Sequence, residues 1–546
     1  MKIFQTICFI LIALPTLLVS QSITKENIEY AEKIIDLQFT DAERDSMLGF
    51  LEEQKSNYKN IRSVELQNNI MPSVLFNPIP AGFRFSYEQK PVEFSDYSNT
   101  KLPANKNDLA FYTIGQLAEL IKTKQITSTE LTKYFIERLK KYDPVLHCVI
   151  TITEERAMHQ AQIADEEIAL GKYRGMLHGI PFAVKDLLAT KDYKTTWGAA
   201  PFKDQMINDD ASVITKLENA GSVLIAKLTM GALAWGDVWF GGMTRNPWDT
   251  TQGSSGSSAG SASAVSAGLV PFAIGTETWG SIVSPSTVCG TSGLRPTYGR
   301  VSRAGAMALS WSMDKIGPIC RSVEDLAIVF NSIYGTDGID PTIYNVPFNY
   351  QPEINVMGMK IGYLKNDFAK QYDFHSNDSA TIAKLKELGA ELVPIELPAL
   401  PVNDLSIILS AEAGAAFDEL TRSNKDDLLV RQIKNAWPNS FRASRFIPAV
   451  EYINANRVRT LLIQEMQKIM ENIDLYLAPS FEGDNLLLTN LTGHPCIVVP
   501  NGFSEKGTPT SITFIGRLFD EGKLLSFAKL YQDATKFNKK HPSLFK

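Results

Sequence analysis

Histidine is scarce in this sequence, with six residues in 546. His147, His159, His178, His375, His494 and His541 are scattered, and none falls in a recognisable catalytic or metal-ligand spacing. A histidine-dependent nucleophile would have to draw its partner from far along the chain. Cysteine is scarcer still: Cys8, Cys148, Cys289, Cys320 and Cys496 match no zinc or CxxC pattern. Basic clusters are also missing. The formal net charge is -6, and Lys536, Lys539 and Lys540 read as one solvated helix face. That balance argues against a nucleic-acid partner, which needs a basic face. After residue 21 no strong membrane-binding helix is visible. What remains is globular: 44% apolar and 21% charged residues, enough for a large core. The length fits one large α/β domain with an added segment as well as it fits several domains.

The apolar run of the first twenty residues, Ile7 through Val19 after Lys2, closes abruptly at Ser20-Gln21. It reads as a secretory signal peptide over 1–20, with an uncleaved N-terminal anchor as the alternative, and predicts an exported protein, periplasmic or secreted. With export, one or two disulfides among the four later cysteines stay open, although Cys496 before Ile497-Val498-Val499 has the setting of a buried thiol. Residues 21–107 form an N-terminal helical and extended segment. Thr40 to Glu43 has the form of a capping box, followed by Met47, Phe50 and Leu51 at helical spacing. Prolines at 72, 78, 80, 91 and 103 then mark a stretch laid along the main body.

From residue 108 the pattern is α/β. Thr113 with Gln116 and Thr127 with Glu130 open two helices, and Glu154 to Leu170 a third, closed by Gly171. Ser212 to Ala220, Gly221 and Val223 to Ala226 read as helix, glycine cap and buried strand. Ile382 to Leu388, Gly389 and Leu392-Val393 repeat the arrangement. The repeat predicts helices stacked on a sheet that has parallel pairs.

Two stretches carry chemistry. The octet Gly179 to Asp186, GIPFAVKD, is a short apolar strand ending in Lys185, and read alone such a lysine is a solvent-facing terminus. The run from Thr251 to Ser286 is rich in serine and glycine, yet its apolar segment Leu269 to Ile274 excludes a flexible linker. Within it, Gly256-Ser257-Ser258-Ala259-Gly260 satisfies GxSxG, which offers Ser258 as an elbow nucleophile working with a histidine. The polar, turn-like residues 244–249 before it are not the buried strand an elbow follows.

GIPFAVKD, then RNPWD, then GSSGSSAGSASAVSAGLVPFAIGTETWGSIVSPSTVCGTSGLRPTYGRVS, in this order and spacing, resemble the amidase signature family of serine hydrolases. The resemblance runs from Leu109 to about Lys540, closing on Asn490 to Pro495 and Phe519-Asp520-Glu521. It implies a single large α/β/α domain over 108–546 with a mixed central sheet covered by helices. It also implies amide hydrolysis without metal or cofactor through a Ser-Ser-Lys set. By that carry-over Lys185 is the base, Ser257 the bridging serine after a cis Gly256–Ser257 peptide bond, and Ser281 the nucleophile. The backbone N–H groups of Thr278, Trp279, Gly280 and Ser281 form the oxyanion hole. A base lysine must be neutral, which requires burial to lower its pKa from about 10.4.

The chain departs from the family at Trp279-Gly280, where Gly-Gly is frequent, at Val283, where arginine often follows Ser-Ile, and at Met230 to Leu233. Trp279 either narrows the acyl pocket or packs outward. The TETWGS turn resembles the peptide-amidase-like branch. The expected partner is a small-molecule or peptide amide, with a homo-oligomer left open. Besides the Ser258–histidine esterase, the other alternative is a secreted binding protein that keeps the fold without the chemistry.

Overall fold

The structure, a computed structural model, describes residues 22–546; the expected signal peptide lies outside them. Contacts divide the chain between Gln67 and Asn68. In the first unit, helix α1 (Lys25–Ile35) and helix α2 (Asp41–Arg62) are each opened by a capping box, the second from Thr40 and Glu43. Arg44 grips Glu32 across the two helices with bonds of 2.9 and 2.8 Å. The apolar positions of α2 do not make a core: no residue of this helix is buried, and Phe50 is 74% exposed.

The division precedes the boundary at 107 drawn from sequence because the chain is bonded into the larger unit from Asn68 onward. The Asn68 amide donates to Ala308 O at 2.9 Å and accepts from Ala308 N at 2.7 Å. Farther along, Ser95 N and the Tyr97 hydroxyl both donate to Glu324.

The larger unit is mixed α/β. Helix α3 (Ile114–Lys122) and helix α4 (Ser128–Leu146) begin at the two expected capping boxes, and α5 (Glu154–Ala169) precedes Gly171. Eleven strands form one sheet: β1 (Val149–Ile152), β2 (Pro181–Lys185), β3 (Val223–Leu228), β4 (Phe272–Glu277), β5 (Ser292–Arg295) and β6 (Lys315–Cys320). It continues with β7 (Lys360–Leu364), β8 (Glu391–Ile395), β9 (Leu475–Pro479), β10 (Cys496–Phe503) and β11 (Pro509–Gly516). Their spatial order is β1-β3-β2-β4-β6-β5-β10-β11-β9-β7-β8.

The pairs β2/β3, β2/β4, β7/β8 and β7/β9 are parallel and the rest antiparallel. Both helix-glycine-strand repeats sit at these parallel pairs. One is α6 (Ser212–Asn219) into β3; the other is helix His375–Glu387 into β8. The second helix starts earlier than its apolar pattern predicts, since its first turn is polar.

Two further elements place the site. Helix α7 (Ala259–Ser266) is built of small residues, Ser, Ala and Gly with one Val, and every residue in it is buried. It lies so close to the sheet that a Cβ on Gly260 would stand 2.5 Å from Cys148 O. Helix α8 (Val283–Cys289) follows β4. Cys148, Cys289, Cys320 and Cys496 are buried free thiols rather than disulfide partners.

The closing segment is tied back by charge. Glu521 Oε2 meets Arg300 Nε at 3.1 Å, both side chains fully buried, while Oε1 accepts from Thr297 N at 2.9 Å. Breaking a buried pair from one side leaves the other charge uncompensated, at about 3–5 kcal/mol. Glu521→Ala is therefore expected to lower the unfolding free energy by about that amount, read as a fall in the denaturant midpoint. An unchanged midpoint would contradict it.

Candidate active site

Lys185 closes β2, which lies between β3 and β4 near the middle of one half of the sheet. That central position overturns the solvent-facing reading: the residue is 0% exposed. Its amine lies 2.7 Å from Ser257 Oγ, 2.9 Å from Thr276 Oγ1 and 3.2 Å from Ser258 Oγ. Burial lowers its pKa to about 7, against the opposing pull of the Asp314 and Glu277 carboxylates. The next residue, Asp186, pairs instead with Lys227 at 2.9 Å, both side chains fully buried.

The serines arrive from the turn before α7. The Gly256–Ser257 peptide bond is cis, as the resemblance implies. Ser258 Oγ donates to Thr276 O and accepts from Thr276 N, both at 3.1 Å, which ties this turn to the end of β4. The backbone N–H of Ser258 donates to Ser281 O at 3.2 Å. Residue 281 is thus held beside the Lys185 cluster, at 8% exposure.

Glu277 sets the shape of the turn that carries Thr278, Trp279, Gly280 and Ser281. One carboxylate oxygen accepts from Ile282 N at 2.8 Å and Val283 N at 3.0 Å, the first amides around the start of α8. The other accepts from Arg295 at 2.8 Å and Asn490 at 2.9 Å. Burial pushes this carboxyl up, but the Arg295 guanidinium, the Asn490 amide and the Val283 N–H outweigh it and bring the pKa to about 2. The residue after Ser-Ile is Val283, and the guanidinium beside Glu277 comes from Arg295. Gly280 takes φ +84°, which a side chain rarely adopts, so this position of the turn calls for glycine. Thr278 Oγ1 donates to Asp314 at 2.5 Å, and Asp314 also accepts from Leu309 N and Ser310 N. Trp279 points outward, 42% exposed.

A cavity of about 630 Å³ opens beside this cluster, reached by Thr276, Thr278 and Asp314 and walled by Leu187, Met307 and Leu309 among others. Among the described residues no group of His, Cys, Asp and Glu is arranged to hold a metal ion.

Sequence reasoning names Lys185, Ser257, Ser281 and the turn, and the structure brings these together. It passes over Thr276, Asp314, Glu277 and Arg295 as functional positions. A buried lysine needs hydroxyl or carboxylate company, and Thr276 and Glu277 stand within the Ser/Gly-rich run itself. Asp314 lies outside the quoted motif, with no local signal, and Arg295 lies in its closing part, GLRPTYGRVS, where nothing local marks the glutamate it pairs with.

The structure does not support the Ser258–histidine alternative. The partners of the Ser258 hydroxyl are Lys185 and Thr276. The strand before it, Asp249–Gly253, pairs only with Arg245–Asn246, outside the main sheet. His178 faces Glu167, His494 bonds Thr492 and His541 stacks on Phe111. His375 packs edge-on against Tyr372, His147 ends α4 and His159 lies on α5.

Comparison with known proteins agrees with this architecture. The Amidase family model matches residues 130–486. A glutamyl-tRNA(Gln) amidotransferase subunit of Coxiella burnetii is 34% identical over 483 residues, covering 79% of this chain and 99% of that protein. The corresponding subunit from Acinetobacter baumannii is 33% identical over 486 residues, covering 80% and 99%. Among solved structures, the native peptide amidase of Stenotrophomonas maltophilia superposes with a TM-score of 0.71 at 28% identity, over 79% of this chain and 98% of that one. An amidase family protein from Bacillus anthracis gives 0.72 at 26% identity, over 80% and 93%. The chain belongs to the amidase signature family of enzymes, which cleave amide C–N bonds.

Proposed function

We propose that the protein hydrolyses a carboxylic amide through an acyl-enzyme on Ser281, with Ser257 relaying protons to Lys185. The observation that carries this is the hydrogen count at the buried amine. The Ser258 proton is committed to Thr276 O, so Ser258 Oγ can only accept from Lys185. Thr276 Oγ1 can accept the second N–H. A neutral lysine has two protons, and these two acceptors use them. Its lone pair then faces Ser257 Oγ at 2.7 Å, ready for that hydroxyl's proton.

In this reading Ser281 Oγ attacks the amide carbon as its proton passes to Ser257 and the Ser257 proton passes to Lys185. The oxyanion settles on the backbone N–H groups of Thr278 to Ser281, where one well-placed donor is worth about 2.7–4 kcal/mol. The proton returns through Ser257 to the leaving nitrogen as the C–N bond breaks. Water then repeats the sequence and frees the acid. The neighbouring cavity has room for the acyl part, with Leu187, Met307 and Leu309 as its apolar wall and charged Arg303, Lys315 and Asp340 also in its lining.

The relatives' names favour a second reading, in which the nitrogen passes to an acceptor instead of being released. Ammonia or amine release by the isolated chain separates the two readings. Export through Met1–Ser20 is part of the proposal, and the N-terminal mass of protein recovered outside the cytoplasm tests it.

On a panel of simple amides, Ser281→Ala and Lys185→Ala are each expected to lower kcat by about a thousandfold or more. Full turnover in both would sink the assignment. Ser258→Ala should cost less than either, because its hydroxyl donates to a backbone carbonyl and not to the reacting centre.

The pH profile follows from the lysine. Protonated, it cannot accept, so kcat/KM should rise through a midpoint near 7. Asp314 favours the ammonium form, so Asp314→Asn should move that midpoint to lower pH. A move to higher pH would contradict the role given to Lys185.

A further inference from the structure

From Leu428 to Arg459 the chain carries Arg431, Lys434, Arg442, Arg445, Arg457 and Arg459 against a single acid, Glu451. The protein as a whole is acidic, with a formal net charge of -6. The same stretch leaves large apolar side chains in solvent: Leu428, Val430, Ile433, Phe446, Val450 and Ile453 are 48–63% exposed. Single exposed apolar residues are ordinary, and so is a solvated basic face. Here the two coincide.

Three side chains fold the stretch into one patch. The helix Trp437–Ser444 has eight residues and is about 12 Å long. The chain before it runs back along it: Asn439, near the helix start, donates its amide to Ile433 O at 3.3 Å and Lys434 O at 3.2 Å, and Arg442, near its end, meets Asp426 at 2.7 Å and Asp427 at 2.6 Å. Leu428 therefore stands by the helix end from which Phe446 emerges. The Gln432 amide closes the loop between them on Asp426 O and Leu429 O. The following helix, Ala449–Met470, extends the surface with Val450, Ile453 and Arg457, which share a face at i, i+3 and i+7 and are all exposed. Below the patch Leu429, Ala436 and Phe441 are buried, and Trp437 Nε1 donates to Leu233 O at 3.0 Å, so the patch is anchored to the body.

The cations are not all occupied. Arg442 is taken by Asp426 and Asp427, Arg445 meets Asp418, and Arg459 is buried. Arg431 lies over the Trp235 ring at 5.0 Å, Arg457 bonds Asn454 and Lys434 is exposed; none of these three forms an ion pair with a described residue. A surface of this kind fits a partner that is anionic at its face and apolar just beneath. A phosphate polymer supplies the charge but gives aliphatic side chains nothing to enter, whereas an anionic bilayer supplies both.

We propose that Leu428–Arg457 is a docking face for an anionic lipid surface. Leu428, Ile433, Phe446 and Val450 enter the headgroup boundary, and Arg431, Lys434 and Arg457 meet lipid phosphates. The acidic remainder of the protein is repelled from such a surface, so docking presents this face alone. Attachment is peripheral: no helix among the described residues is long and apolar enough to cross a membrane. The face is assembled from a loop, the end of one helix and the start of another, so no single amphipathic helix marks it in the sequence.

The test mixes the full chain with vesicles of phosphatidylcholine alone and of phosphatidylcholine with an equal share of phosphatidylglycerol, and reads the bound fraction by co-sedimentation. Wild type should partition at least about tenfold more strongly onto the anionic vesicles, and raised salt should weaken that preference. A cation near such a surface is worth about fivefold, so Arg431→Gln, Lys434→Gln and Arg457→Gln together should lower anionic binding roughly a hundredfold. Ile433→Ser with Phe446→Ser should lower it at least about tenfold through lost apolar burial. An unchanged thermal midpoint shows that docking, not structure, was lost; if the serine pair unfolds the chain, Val450→Ser, at an exposed helix position, takes its place. Equal binding to both vesicle types, or binding to neither, overturns the proposal. So does anionic binding that the glutamine variant leaves unmoved. Loss in the glutamine variant with none in the serine variant overturns it too, because a polyanion rather than a bilayer would then be the partner.

Discussion

An amine with no access to water is the constraint on which the rest of the site depends. Burying an ammonium is costly unless it is paired, and Lys185 has three hydroxyls around it and no carboxylate in contact. The group responds by shifting toward its neutral form, which is the form able to take a proton. The central strand, the small-residue helix packed over it and the turn holding Ser257 all keep water from that amine. Asp314 and Glu277 oppose the shift, which leaves the lysine poised near neutral pH instead of permanently deprotonated.

Strand β4 divides the labour between its two faces. Successive residues of a strand point to opposite sides. Thr276 bonds Lys185, and Thr278 just beyond the strand bonds Asp314, while Glu277 between them turns to Arg295, Asn490 and the first amides of α8. One side meets the buried lysine and the other fixes the backbone of the turn. Those bonds run through the backbone of the turn, so Trp279 faces outward without disturbing them.

Much of the fold is legible in the sequence. The capping boxes at Thr40, Thr113 and Thr127 stand where expected, because a cap is a contact between residues three apart. The helix-glycine-strand repeats also hold, since a buried strand beside a glycine-ended helix needs only local pattern. Helix α7 is not legible: a helix buried on all sides shows no amphipathic period, and its serines and glycines mimic a loop. The helical spacing of Met47, Phe50 and Leu51 marks α2 correctly as a helix, but none of its residues is buried. Lys185 reads from its own octet as exposed, because a strand's position within the sheet is decided by strands recruited from far along the chain.

By itself the sequence determined the family, the mixed α/β class and the identity of the three polar residues gathered at the site. These follow from residue order and spacing over hundreds of positions. Only the tertiary structure decided that Lys185 is sealed from water and that the hydroxyls of Ser257, Ser258 and Thr276 surround its amine. It alone showed that a guanidinium from Arg295 holds the turn and that Trp279 faces outward. Each of these is a matter of burial or of contact between residues distant in the chain, and burial is a property of the surroundings rather than of the residue.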